Sequence, residues 1–227
     1  MITSVRWTDR VWAGGPAGRL TVAGLWLCAA ACGCGPKTGA WLMTMGLANR
    51  EKIPAEYRLP AGGVLVLVDD DEDLVEPPDA RLLLVDEIAR QLQAAGITDR
   101  VTTNEELAAI RQSEPRFDER GAQQIGQLAG ADTVLWLKVN RFVLNPDLEM
   151  VLEPARFAVE LRVLDARAET RDKVRLWPEA REGRTVEATV SAQEIRSCKT
   201  LKEAHQKVAA ALAVEIVNLF HDREVVY

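Results

Sequence analysis

Val64-Leu-Val-Leu-Val68 is an unbroken aliphatic run ending in acids, the pattern of a strand covered on both faces. Over 79–95, Val85, Ile88, Ala89 and Leu92 recur at i, i+3, i+4 and i+7, which predicts a helix closed by Gly96 in the left-handed conformation. A short strand is expected over 97–102. Thr103-Asn-Glu-Glu106 then reads as a capping box for a helix through Ile110 and Arg111. A further helix over 118–129 would bury Ala122, Ile125 and Leu128 and end at Gly130. The segment 132–142 is apolar first and alternating later, as in a strand that leaves the covered centre of a sheet.

After the turn Asn145-Pro146-Asp147, Phe157, Val159, Leu161 and Val163 alternate with Ala158, Glu160 and Arg162, the period of two of an antiparallel strand with one wet face. Val174 to Val190 supply one or two more strands, broken at Pro178 and Gly183. Thr200-Leu-Lys-Glu203 reads as a second capping box, opening a terminal helix with Val208, Leu212, Ile216 and Leu219 in one stripe. Helical crossovers first and hairpins later predict an α/β (α+β) fold: a mixed central sheet of about five strands packed with helices.

Upstream of this pattern the chain reads differently. Arg6, Arg10 and Arg19, opposed only by Asp9, precede the apolar stretch over 20–31. That stretch is too short to span a hydrocarbon core of roughly 30 Å and has the length of a secretory h-region. Ala29-Ala30-Ala31-Cys32-Gly33 resembles the lipobox of bacterial lipoproteins, which implies that Cys32 is acylated and becomes the first residue; Cys34 is the alternative. An ordinary leader cut after the alanines, leaving both cysteines as incidental thiols, is the competing reading. The expected organisation is a lipoprotein signal peptide over 1–31, a lipidated tether over 32–60, a single domain over 61–222 and a tail over 223–227. The tether carries a second membrane-seeking feature, Trp41 within the apolar stretch 40–47, followed by Arg50 and Lys52.

The formal net charge is −6, and losing the leader's arginines makes the remainder more acidic. Without a basic stripe, nucleic acid is not expected as a partner. Beyond the leader only Cys198 remains, so no disulfide framework holds the fold.

Leu128-Ala-Gly-Ala-Asp-Thr-Val-Leu135, the Thr103–Glu106 helix start, and Val163-Leu-Asp-Ala166 followed by Val174-Arg-Leu-Trp177 resemble envelope domains. These are the domains shared by the TolB N-terminal region, curli-secretion lipoproteins of the CsgG type and LpoB-type lipoprotein activators. The resemblance implies a TolB N-terminal, anticodon-binding-like topology and an envelope-facing binding or assembly module. Two departures stand out: Trp136-Leu137-Lys138 occupies the place of a Gly-rich step in the central strand, and the first strand runs into Asp69-Asp-Asp-Glu-Asp73.

Candidate chemistry is sparse. Oxygen ligands for a cation could come from Asp69, Asp71 and Asp73, against the plainer reading of a solvated acidic loop. Trp177, Arg162 and Arg175 are candidate partner contacts, with Trp136 also on a strand. His205 and His221 fall on the terminal helix, and no nucleophile-base motif, P-loop or dinucleotide fingerprint is present. The expectation is a non-enzymatic, lipid-anchored envelope module without a cofactor. Its partner would be another envelope protein or, in the alternative, further copies of itself; a hydrolase ranks last.

Overall fold

The computed structural model describes residues 50–226. Its compact unit spans Lys52–Val225. Elements run in the order β1 (Arg50–Ile53), β2 (Val64–Asp69), α1 (Asp79–Ala94), α2 (Asn104–Ser113), α3 (Ala122–Leu128), β3 (Thr133–Val143) and β4 (Ala155–Asp165). They continue with β5 (Arg175–Trp177), β6 (Arg184–Val190), α4 (Ala192–Arg196), α5 (Leu201–Val217) and β7 (Arg223–Val226). The mixed α/β class expected from the pattern is what the chain adopts.

The central sheet is five-stranded. β2 lies parallel to β3, β4 runs antiparallel to β3, and β5 and β6 share the far edge of β4 end to end. The parallel pair requires the crossover that α1, α2 and α3 provide. Within β3 the register jumps between Val139 and Arg141, so Asn140 stands outside the ladder as a bulge. β1 and β7 pair in a separate two-stranded ribbon.

One face of the sheet meets α1 and α5. Leu84, Ile88 and Leu92 of α1 and Val208, Leu212 and Ile216 of α5 are fully buried there against Val66, Leu135, Leu137, Val159 and Leu161. Phe142 meets Phe157 edge-on at 4.9 Å on this face. The opposite face holds a smaller cluster of Leu65, Phe117, Ile125, Val134 and Ala166 beneath α3. Gly126 of α3 is placed where a Cβ would lie 2.4 Å from Val134 Cγ2, so glycine sets how closely that helix approaches β3.

The Gly-Ala-Asp turn acts as a clasp. One Asp132 carboxylate oxygen accepts the Gly63 N–H at 2.8 Å, the Asp132 N–H donates to Gly63 O at 2.8 Å, and the other carboxylate oxygen faces Arg167. Gly130 takes φ +63° to make the turn. The start of β2 is thereby tied to the start of β3.

Several expectations are corrected. In place of a strand over 97–102 there is one parallel bridge, Val64 to Val101. Thr98 Oγ1 donates to Gly62 O at 2.9 Å, and Thr103 then caps α2 through the expected box, so the chain turns away after a single rung. The helix over 118–129 is a 3-10 turn, Phe117–Glu119, then extended Arg120 and Gly121, then α3. Phe117 is thereby buried while Leu128 is 43% exposed. At α5, Thr200 accepts from the Glu203 N–H, but the Glu203 carboxylate takes the Lys199 N–H, leaving half a capping box. α5 ends at Val217, so Leu219 and His221 follow the helix.

Of the segment expected as tether, 32–49 lies outside the described residues. Tyr57 stacks on Trp177 at 5.8 Å, and its N–H donates to Leu219 O at 3.1 Å. Of the expected tail, 223–226 form β7.

Candidate functional site

A groove of about 510 Å³ opens where the second face of the sheet runs out from under α3. Its floor carries Leu67 of β2, Trp136 of β3, Leu164 of β4 and Ile125 of α3. The last turn of α2 contributes Arg111, the chain between α2 and α3 contributes Phe117, Asp118 and Arg120, and the carboxyl end of β2 contributes Asp69 and Asp71. Ligands of open α/β sheets gather at such carboxyl ends of parallel strands.

Two guanidinium groups lie on aromatic rings in this groove. Arg162 is 4.9 Å from the centre of the Trp136 ring, and Arg111 is 4.7 Å from that of Phe117. Three arginines of the groove meet an acid through Nη2: Arg162 to Glu160 at 2.5 Å, Arg111 to Asp118 at 3.5 Å and Arg120 to Glu114 at 3.2 Å. The Nε–H groups of Arg120 and Arg162 are shielded from solvent and have no hydrogen-bond partner.

The carboxylates are tuned in opposite directions. Burial and the neighbouring Asp71 push Asp69 above the ordinary carboxylate range, more than Trp136 and Lys138 pull it down. For Glu160, burial works upward, but the Gly183 N–H at 3.0 Å, Arg162 and Lys138 together hold it below the ordinary range. Lys138 reaches Asp71 at 3.7 Å.

The acidic loop divides. Asp69 and Asp71 come together, whereas Asp73 is exposed and faces Arg81 at 3.9 Å. No group of three potential metal-binding side chains occurs among the described residues. Asp70, unremarked in the sequence, turns inward to accept the N–H groups of Leu74 at 2.8 Å and Val75 at 3.0 Å and to meet Arg81. It shapes the loop.

Among the other sequence candidates, Arg162 lines the groove. Arg175 instead ties down the loop after β5, donating to Ala180 O at 3.0 Å and Arg181 O at 2.9 Å. Trp177 is half-buried between Tyr57 and Phe220. His205 is buried with Nδ1 2.8 Å from Leu201 O and Nε2 3.0 Å from Glu76 O, while His221 Nδ1 lies 3.0 Å from Val217 O. Cys198 donates to Glu194 O. Cys32 and Cys34 lie outside the described residues.

Arg111, Phe117 and Arg120 were missed by the sequence reading, because their approach to Trp136 is made by the fold and not by spacing. One signal was present: an aromatic followed two residues later by a lysine, on the outward phase of a central strand.

No protein-family model and no curated protein matches the chain. Among solved structures, it is similar to the PelC dodecamer from Paraburkholderia phytofirmans, with 17% identity, 76% of this chain and 98% of that chain covered, and a TM-score of 0.40. It is also similar to lipoprotein GNA1162 from Neisseria meningitidis, with 15% identity, 58% and 82% covered, and a TM-score of 0.38. A third likeness is to TolB from Acinetobacter baumannii, with 13% identity, 74% and 31% covered, and a TM-score of 0.29. No described helix is long and apolar enough to cross a membrane.

Proposed function

We propose that the chain is a lipid-anchored, non-enzymatic binding module of the bacterial cell envelope, held to a membrane through acylated Cys32 and engaging an envelope partner through the groove. The observation that carries the binding role is that groove. It stands on strand ends, has an aromatic and aliphatic floor, and its arginines are paired with Glu160, Asp118 and Glu114. Such an arrangement suits recognition. Both histidine rings and the Cys198 thiol are engaged with backbone carbonyls, which supports a role without nucleophilic or acid-base chemistry.

The anchor rests on the leader and lipobox pattern. Palmitate labelling in cells tests it: the label is expected to vanish in Cys32→Ala and to persist in Cys34→Ala. Label retained in both single variants and in the double variant, or a full-length product found unprocessed in the cytosol, overturns it.

A second reading, an oligomeric assembly subunit, is favoured by one feature. The β3–β4 loop exposes Met150 at 64% and Leu152 at 84%. Contiguous exposed apolar side chains mark contact surfaces more often than isolated ones do. Light scattering on the purified full chain decides it, a monomer counting against assembly.

A further inference from the structure

We propose that the groove receives a peptide carboxylate, gripped by Arg111, Arg120 and Arg162 over a floor of Trp136 and Leu164. This rests on the binding role given above and names the chemistry that the role recognises. Three guanidinium groups from two separate parts of the chain line one opening. Two of them stand over aromatic rings, which restrains each guanidinium and leaves N–H groups to meet a further acceptor.

The acid partners of Arg120 and Arg162 accept from Nη2, and a carboxylate bound bidentately uses a pair of N–H groups along one edge of the fork. The unpaired Nε–H groups of Arg120 and Arg162 are the second observation. Buried polar atoms are rarely left without a partner, and two of them fall on side chains of the same groove. They are shielded as the chain stands, so entry of the ligand requires a rotamer change of the kind common at binding surfaces.

The acids of the groove narrow the class further. Asp69 and Asp71 lie at its β2 end and accept hydrogen bonds, which suits the amide N–H groups of a peptide backbone. They also repel a second negative charge, which disfavours a phosphate dianion against a carboxylate monoanion. The volume of about 510 Å³ lies within the range of small-ligand sites, and the Leu67, Trp136 and Leu164 surface fits an aliphatic side chain beside the carboxylate.

The test is calorimetric titration of the full chain in detergent with acetyl-leucyl-alanine, its carboxamide and phenyl phosphate. Saturable binding of the peptide carboxylate is expected, with the carboxamide weaker by about tenfold or more, as befits lost charge-assisted hydrogen bonds. Arg162→Gln and Arg111→Gln should each weaken the peptide carboxylate by a similar factor. Arg111 is largely exposed, so its variant keeps the test open should Arg162→Gln lower the melting temperature. Equal binding of the carboxamide, tighter binding of phenyl phosphate, no saturable binding at millimolar concentration, or unchanged affinity in both variants overturns the proposal. Acylation is read by labelling, so failure of the anchor and failure of the carboxylate site are distinguishable.

Discussion

The two faces of the central sheet are built from the same strands yet solve different problems. Under α1 and α5 the odd positions of β3 and β4, Leu135, Leu137, Leu161 and Val163, are fully buried among aliphatic side chains. On the other face the even positions begin the same way, with Val134 beneath α3, and then change to Trp136, Lys138, Glu160 and Arg162. The closed face carries the stability. The half-covered face gives up apolar burial, and what replaces it is a set of paired charges around an opening.

The largest effect should come from the closed face. Leu161→Ala removes a fully buried side chain from the middle of β4 and is expected to cost about 2–5 kcal/mol, measured by urea unfolding. A comparable loss from Trp136→Ala would break the contrast drawn between the faces. Next comes the seam between α3 and the sheet. Gly126→Ala sets a methyl group against Val134 and Ala166 and should cost about 1–3 kcal/mol, whereas free tolerance would show that α3 is loosely seated.

Smaller effects of opposite sign sharpen the electrostatic side. Asp69 is raised in the folded chain, so the stability it contributes is full below the unfolded carboxylate value and is lost as pH rises through the raised one. Asp69→Asn should therefore be more stable than the parent at neutral pH, with the advantage fading in acid. Glu160 is lowered, so its contribution is full above the unfolded value and is lost as pH falls through the lowered one. Glu160→Gln should be less stable at neutral pH, the gap narrowing in acid. Thermal melts across pH 3 to 8, about the range in which carboxylates titrate, check both signs.

The closed face was readable from spacing because its code is local. Val85, Ile88 and Leu92 announce α1, and the alternation over 157–163 announces β4, without knowledge of what covers them. The Gly-Ala-Asp turn was also visible, although its clasp on Gly63 spans 69 residues and needed the fold. The open face was largely hidden. Arg111 and Phe117 lie in a helix end and a 3-10 turn whose pattern resembles a solvated connection, and Trp136 offered only its place on a strand. Asp70 differs from Asp69 and Asp71 only in which way it points. Nothing in a run of five acids says which one will fold inward to collect the N–H groups of Leu74 and Val75.

The bulge at Asn140 bears on how this protein tolerates change. Before it, odd-numbered side chains of β3 look toward α1 and α5; after it, Phe142 does, seated against Phe157 and His205. One supernumerary residue thus re-addresses the outer third of the strand. Deleting Asn140 would restore an unbroken pleat and leave Arg141 opposite Ala158 and Phe142 opposite Phe157, so at this point the strand can lose a letter and still keep the berth of Phe142 filled.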